Sequence, residues 1–463
     1  MVQQQPYKLM SNSIQKLRKI WAIEDLRTRI LNTILFLLVY VAGTQILLPG
    51  IDSKILSDAT SDGGWTDLIN QFSGGAFSKA SIFALGIMPY ITASIVIQLL
   101  GMAVPQFQKL QKEGESGRKK MQTYTKFLTI AVTAVQAPSY LRMYVGAKGA
   151  IVDDGFLFMF TSVAIMVAST LFLMWLGEKI TEKGIGNGVS ILITVGILAR
   201  LPMAIVEEFK EAFMGDASGG RSFFLIVEFL AWFFIVLFTI AIVKAVRKVP
   251  LEYPKQMVSG GAINKVQGGG RRYLPLKIAM AGVMPIIFAQ AIMFLPTGLA
   301  GSDFLGDGFK GVMNEIGDPN SVWYNITTAI LIVVMTYFYT AMVVNPRQMA
   351  EDFKKQGAFI PGIKPGNETS TYIDSIMSKI MFPGALFLAL IAIFPVFARM
   401  ANVNTGFSYF FGGTSLLIMV SVVLDTLQQV DGYLLMNHYD GLMKTGKVRG
   451  ESSLSESSSV GMI

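Results

Sequence analysis

The chain has 463 residues, of which 52% are hydrophobic and only 15% charged, against about 25% charged residues in soluble domains. With a mean hydropathy of +0.51, this composition excludes an ordinary soluble enzyme and leaves a polytopic membrane protein. The chain has no cysteine, so disulfides, thiolate metal sites and cysteine nucleophiles are excluded, and its formal net charge of +8 is read by location, because cytoplasmic loops collect Lys and Arg.

Residues 1–29 carry Lys8, Lys16, Arg18, Lys19, Arg27 and Arg29, interleaved with Leu17, Ile20, Trp21 and Leu26. This is the pattern of an amphipathic helix lying on the cytoplasmic membrane face. The stretch lacks a short apolar region with a small-residue cleavage site, so no cleavable signal is expected. A first span is expected over about 30–48, closed by Pro49 and Gly50, and an acidic outer loop follows with Asp52, Asp58, Asp62 and Asp67.

Residues 70–100, NQFSGGAFSKASIFALGIMPYITASIVIQLL, begin small and polar and end as an apolar run interrupted by Gly86 and Pro89. A span needs about 20 residues, which 81–100 supplies. The polar start is too short to cross and too polar to meet lipid with its backbone unsatisfied. Two readings stand at this point. One is a re-entrant segment folded into a protein- or water-lined cavity, leading into a kinked span. The other is a surface loop before an ordinary proline-kinked span, since Pro and Gly are frequent in membrane helices.

The basic stretch QKLQKEGESGRKK follows and is expected inside. A third and a fourth span cover about 124–144 and 155–176, then GEKITEKGIGNG makes a short inner connection to a fifth span over about 187–202. An outer loop with Glu207, Glu208, Lys210 and Glu211 precedes a sixth span at 223–243. Residues 244–277 form the most basic connection, with Lys244, Arg247, Lys248, Lys255, Lys265, Arg271, Arg272 and Lys277 against the single acid Glu252. A seventh span at 278–299 leads to an acidic outer loop with Asp303, Asp307, Glu315 and Asp318. The eighth span at 323–344 returns to a long inner loop, 345–379. A ninth span at 380–398 and a tenth at 413–433 complete the set, and the polar tail 437–463 is expected to be partly disordered.

Ten spans put both termini in the cytoplasm, and the charge bias agrees nearly everywhere, least well at Arg142 and Lys148 beside an outer turn. The single histidine, His438, lies beyond the last span and receives no role. Glu228 and Asp425 are the exceptions to charge-free span interiors. Ion-coupled carriers need ionisable groups at mid-membrane, so such a carrier is disfavoured, while a carrier of a neutral solute stays open. A conduit closed by an aliphatic constriction fits better, because rings of apolar side chains exclude water and ions by dewetting. The phosphate-loop pattern GXXXXGK[ST] is absent, so any energy source is a partner.

The strings FSGGAFSKASIFALGIMPYITASIVIQLL, EGESGRKK, EKGIGNGVSILI, LPLKIAMAGVMP, KQGAFIPGIKPG and SYFFGGTSLLI together resemble the SecY family of protein-translocon channel subunits, over about residues 26–447. The resemblance implies an all-α polytopic membrane protein with ten transmembrane helices in two inverted five-helix halves and a re-entrant plug. The halves are 30–206 and 223–436, joined by an outer hinge loop at 207–222. The family's pore ring falls on Ile87, Ile91, Val189, Ile193, Ile287 and Ile418; taken singly, any such residue is more often lipid-facing or core. The plug falls on about 68–80, with Phe72, Ser73, Gly74 and Gly75.

A lateral seam is implied between the second and third helices on one side and the seventh and eighth on the other, with Pro89, Thr92 and Pro285 as gate residues. The two inner loops imply docking of the motor ATPase SecA or the ribosome at Arg247, Lys248, Lys364, Pro365 and Gly366. The family carries arginine where Lys364 stands, and lysine keeps the charge but loses the planar fork. The remaining implied partners are SecE and SecG-like small membrane subunits, preprotein substrates and membrane lipids. A bacterial cytoplasmic (inner) membrane location is implied, with no enzymatic chemistry, cofactor or metal.

Overall fold

Helices make up nearly all that the computed structural model describes, namely residues 20–52, 55–56, 65–152, 155–214, 218–253, 271–278, 282, 284–300, 311, 315–316, 321–401 and 403–455. In chain order these are α1 (Glu24–Thr44), α2 (Trp65–Phe72), α3 (Met88–Ala103), α4 (Pro105–Lys112), α5 (Glu115–Tyr140), α6 (Phe156–Lys183), α7 (Gly188–Met214) and α8 (Ser218–Lys244). A ribbon of β1 (Val246–Glu252) and β2 (Arg271–Lys277) follows. The chain continues with α9 (Met284–Ala300), α10 (Val322–Val343), α11 (Pro346–Lys355), α12 (Asn367–Met400), α13 (Thr405–Ser408) and α14 (Gly413–Ser455).

Seven of the described helices are long and apolar enough to cross a membrane, and α3 with α4, bent by 101° at their break, make an eighth. The two other expected spans are α5, whose first turns carry Glu115, Arg118, Lys119 and Lys120, and α9, which has 17 residues. The ten spans read from the sequence therefore all have a helix in place. Their bounds differ most in four places. The second span does not start at 81: residues 81–87 are a bridge and turns, and α3 begins at Met88. Helix α7 runs through the acidic stretch expected as an outer loop, so the expected hinge 207–222 is helical except for 215–217, which lie outside the described residues. Helix α12 begins 13 residues before the expected ninth span and absorbs the end of the inner loop. The tail expected to be partly disordered continues α14 as far as Ser455. The amphipathic segment is described only from residue 20, where a helical end breaks at Ile23 before α1.

The extension of α7 has a local cause. Glu208 is buried, and its carboxylate accepts from the Asn404 backbone N–H at 3.0 Å. Asn404 in turn caps α13 through the Gly406 N–H and donates from its side-chain amide to Glu211. A buried acid is tolerated where such donors meet it. These contacts join the last helix of the first half to the second half.

Within each half the helices pack in the same succession. Helix α3 lies on α5, α5 on α6 and α6 on α7; in the second half α9 lies on α10, α10 on α12 and α12 on α14. Both α5 and α10 carry threonines spaced by four residues or twice that, Thr125, Thr129 and Thr133 on one and Thr328, Thr336 and Thr340 on the other, all buried. Small side chains let helices approach closely in lipid, and five of these hydroxyls satisfy themselves on the carbonyl four residues back.

The basic connection is not loop alone: a two-stranded ribbon stands beside the helical bundle. Strands β1 and β2 pair antiparallel, Val246 opposite Lys277 through Glu252 opposite Arg271. Pro250 and Pro275 sit in the strands, which a two-stranded ribbon permits because both strands are edges. The ribbon reaches the second inner loop through a backbone bridge between Glu252 and Phe359. Val249, Leu251 and Leu276 share a small core with Ile360, Ile373 and Met377. The two basic connections are thus one packed body at one end of the bundle.

Candidate functional site

The re-entrant segment lies inside the bundle, which decides between the two readings of residues 70–100. Helix α2 ends at Phe72, and the chain then turns rather than helices until Met88. Asn70, Gln71, Phe72, Ser73, Ala76, Phe77 and Ala80 are all buried. Its polar groups are met locally: Asn70 Oδ1 accepts from the Ser78 N–H, and Ser73 Oγ accepts from the Phe77 N–H. Its far part is anchored. Tyr140 Oη donates to the Phe77 carbonyl at 2.7 Å, the Phe77 ring packs on Tyr140 and Tyr144, the Leu48 N–H donates to the Ala80 carbonyl and the Ile82 N–H donates to the Ile46 carbonyl.

Its near part, the four residues 72–75, touches α7 differently. A Cβ on Gly196 would fall 2.6 Å from the Phe72 carbonyl, and one on Gly74 would fall 3.2 Å from Gly196 Cα. Only glycine fits either position, and Gly74 also has φ +67, a region that costs other residues. Gly75, at φ +88, faces open space.

All six residues of the expected ring belong to one apolar cluster that also contains Phe72. Ile87, Ile91, Ile193 and Ile418 are buried, while Val189 and Ile287 are half-buried against them. Ile91, Val189, Ile193 and Ile287 line a cavity of about 440 Å³. Ile87 and Ile418 lie in the cluster away from that lining; Ile87 follows Gly86, which faces Ser73. The cavity's remaining wall turns polar and charged at Gln98, Arg118, Glu178, Glu182 and Asn187. Two lysines balance the acids, Lys126 at 3.1 Å from Glu178 and Lys179 at 2.7 Å from Glu182. The arrangement is a polar funnel with an aliphatic floor, stopped on the far side by the re-entrant segment.

The seam has α3 packed on α9. The two prolines named as gate residues do not interrupt helix interiors. Pro89 is buried in the first turn of α3, and Pro285 is likewise buried in the first turn of α9. At those positions proline costs no hydrogen bond and is pre-organised for the helix. Thr92 is half-buried, its hydroxyl donating to the Met88 carbonyl at 3.1 Å.

At the other end, Arg247 and Lys248 are exposed on β1, and Lys364 and Pro365 are exposed at the turn before α12. Gly366, at φ +110, makes that turn, and Thr369 Oγ1 pins it by donating to the Lys364 carbonyl. Lys364 Nζ stands 3.8 Å from Glu368, with both side chains largely exposed. Asp425, the ionisable residue of the tenth span, is largely exposed and lies 4.0 Å from Lys277 at the end of β2. The sequence reading missed Gln71, Gly196 and Ser415. Gln71 and Ser415 were legible only as polar residues inside apolar strings, and Gly196 as one glycine in a span.

The sequence model of the SecY family matches residues 81–427. The protein translocase subunit SecY of Aquifex aeolicus is 38% identical over 436 residues, covering 92% of this chain and 99% of that protein. The same subunit from Escherichia coli K12 is 39% identical over 435 residues, covering 92% and 96%. Among solved structures, one described as a protein conducting channel aligns with TM-score 0.61 at 19% identity, over 87% of this chain and 91% of that one. Sec61 in the canine ribosome–channel complex aligns with TM-score 0.56 at 18% identity over the same shares, 87% and 91%. A family match over most of the length, joined to this fold, means that the chain belongs to the SecY family of protein translocase subunits.

Proposed function

We propose that this chain is the channel subunit through which unfolded, signal-peptide-bearing preproteins cross a bacterial cytoplasmic membrane, both termini lying in the cytoplasm. The observation that carries the reading is the aliphatic floor of the polar funnel, in one apolar cluster with Phe72 of the largely buried segment 70–80. An extended polypeptide carries polar backbone that hydrocarbon rejects. The funnel offers it water, and Ile87, Ile91, Val189, Ile193, Ile287 and Ile418 offer a short girdle that grips nothing and excludes ions. The segment with Phe72, Ser73, Gly74 and Gly75 is the plug. Apolar segments in transit leave sideways between α3 and α5 on one side and α9 and α10 on the other, because each strongly apolar residue gains about 0.3–0.6 kcal/mol in lipid. Pro89, Thr92 and Pro285 border that exit.

The chain performs no covalent chemistry and draws energy from partners. The packed basic body, with Arg247, Lys248 and Lys364 exposed, suits a polyanionic or acidic partner. SecA and the ribosome are the proposed occupants, with SecE and SecG-like subunits beside the bundle. The structural neighbour from the ribosome–channel complex supports the ribosome as a partner class. The test is reconstitution: the chain with its small subunits in vesicles, driven by the motor ATPase, should protect a precursor from external protease. Absence of protected precursor, alongside uptake of a small solute by the same vesicles, would replace the conduit by a solute carrier.

A further inference from the structure

Gln71 is a buried amide of the plug segment. It is 3% exposed, and its Oε1 accepts from Ser415 Oγ at 2.9 Å. Its Nε2 is buried without a hydrogen-bond partner among the described residues. Ser415 stands in the first turn of α14, and the neighbouring Thr414 hydroxyl accepts from the Gln290 amide of α9. A single helical turn therefore holds the plug with one residue and a seam helix with the next. The turn itself has little slack: a Cβ on Gly412 would meet Phe394 at 2.8 Å, and one on Gly413 would meet Pro395 at 3.1 Å. A second cavity, of about 40 Å³, lies against it, lined by Gln290, Thr414 and Ser415 together with Thr328, Arg399 and Tyr409. A polar site holds a water in about 10–15 Å³, so water is at hand to take over either bond when it breaks.

Resting on the conduit reading above, we infer that Gln71 and Gln290 are positioning residues that share one catch, the turn Gly413–Ser415, and that this catch sets the threshold for plug release. The bond from Ser415 holds the plug, and the unpaired Gln71 nitrogen opposes it, so the hold is weak by construction. When α9 moves away from α3, Gln290 withdraws its donor from Thr414. The turn then hydrates from the adjoining cavity, and the Ser415 bond to Gln71 goes with it. The contacts form a continuous buried path from seam to plug, and coupling along such a path is measured by a double-mutant cycle.

The experiment uses the full chain with its small subunits in planar bilayers and reads the resting ion conductance. Ser415→Ala and Gln290→Leu should each raise it roughly two- to tenfold, the size of one lost buried hydrogen bond. The double variant should not exceed the larger single effect, and Ser415→Thr, which keeps the hydroxyl, should stay at the wild-type level. Effects that multiply in the double variant, or wild-type conductance in both single variants, overturn the catch. Precursor transport by the wild-type chain in matching vesicles reads the conduit separately. Active transport with unchanged conductance rejects the catch alone, and absent transport rejects the conduit and the catch with it.

Discussion

Two helix starts, one in each half, share the sequence pattern Gly-x-Met-Pro. Gly86-Ile87-Met88-Pro89 opens α3 and Gly282-Val283-Met284-Pro285 opens α9. Both glycines have positive φ, +55 and +61, and both prolines occupy the first helical turn. What differs is the surroundings. A side chain on Gly86 would meet Ser73 of the plug at 3.7 Å, whereas nothing lies within 4 Å of such a side chain on Gly282. The start of α3 is thus seated against the plug, whereas the Gly282 position just before α9 has no such neighbour, although Pro285 is buried. The two walls of the seam are made alike but held unequally. A movement that parts them is expected to carry α9 and leave α3 with the plug's anchored part.

The largest test of that inequality is polar substitution one turn into each helix. Ile91→Asn removes the burial of an aliphatic side chain, worth about 1.5–3 kcal/mol, and adds a buried amide, so the resting conductance should rise and defective signal sequences should pass. Ile287→Asn, at a half-buried site, should do the same to a smaller extent. If Ile287→Asn is the more disruptive in conductance and thermal stability, the assignment of the firmer wall to α3 is reversed. A second test compares Gly86→Val with Gly282→Val. Both carry the cost of a left-handed conformation, about 1–2 kcal/mol, and only Gly86→Val must also fit its two methyls beyond a Cβ already in contact with Ser73. Melting in detergent should therefore fall further for Gly86→Val, and equal falls would remove the difference on which the comparison rests. The smallest effect is Tyr140→Phe, which deletes the bond to the Phe77 carbonyl without changing shape. About 0.5–1.5 kcal/mol should be lost, read as faster hydrogen exchange at residues 76–82, with exchange around α9 unchanged.

The ten-helix architecture was legible because lipid leaves few options: apolar length and Lys/Arg bias report spans and sides almost directly. The six ring positions were reached only through resemblance, since an isoleucine facing a pore and one facing lipid look alike in a string. The internal repeat was also readable in the paired Gly-x-Met-Pro starts and the four-residue threonine spacing of Thr125, Thr129 and Thr133 and of Thr336 and Thr340. It went unseen because identity between the halves is otherwise low, and because prolines in apolar runs suggest kinks before they suggest helix starts. The length of α7 was hidden for another reason. Glu207, Glu208 and Glu211 read as solvent-exposed by charge, and only the distant Asn404, meeting Glu208 and Glu211, makes a helical ending there stable. The β-ribbon was masked by Pro250 and Pro275, residues that argue against strands except at edges.

Gly74 and Gly196 meet with bare backbone on both sides. Where neighbouring helices usually mesh knob into groove, these two residues bring no knob of their own, and the Tyr40 hydroxyl alone stands beside Gly196 among the backbone atoms. Such a joint is close at rest and still quick to part, like ground glass compared with a screw thread. Speed of opening and tightness of closure, which interlocking side chains would set against each other, are here reconciled by leaving side chains out.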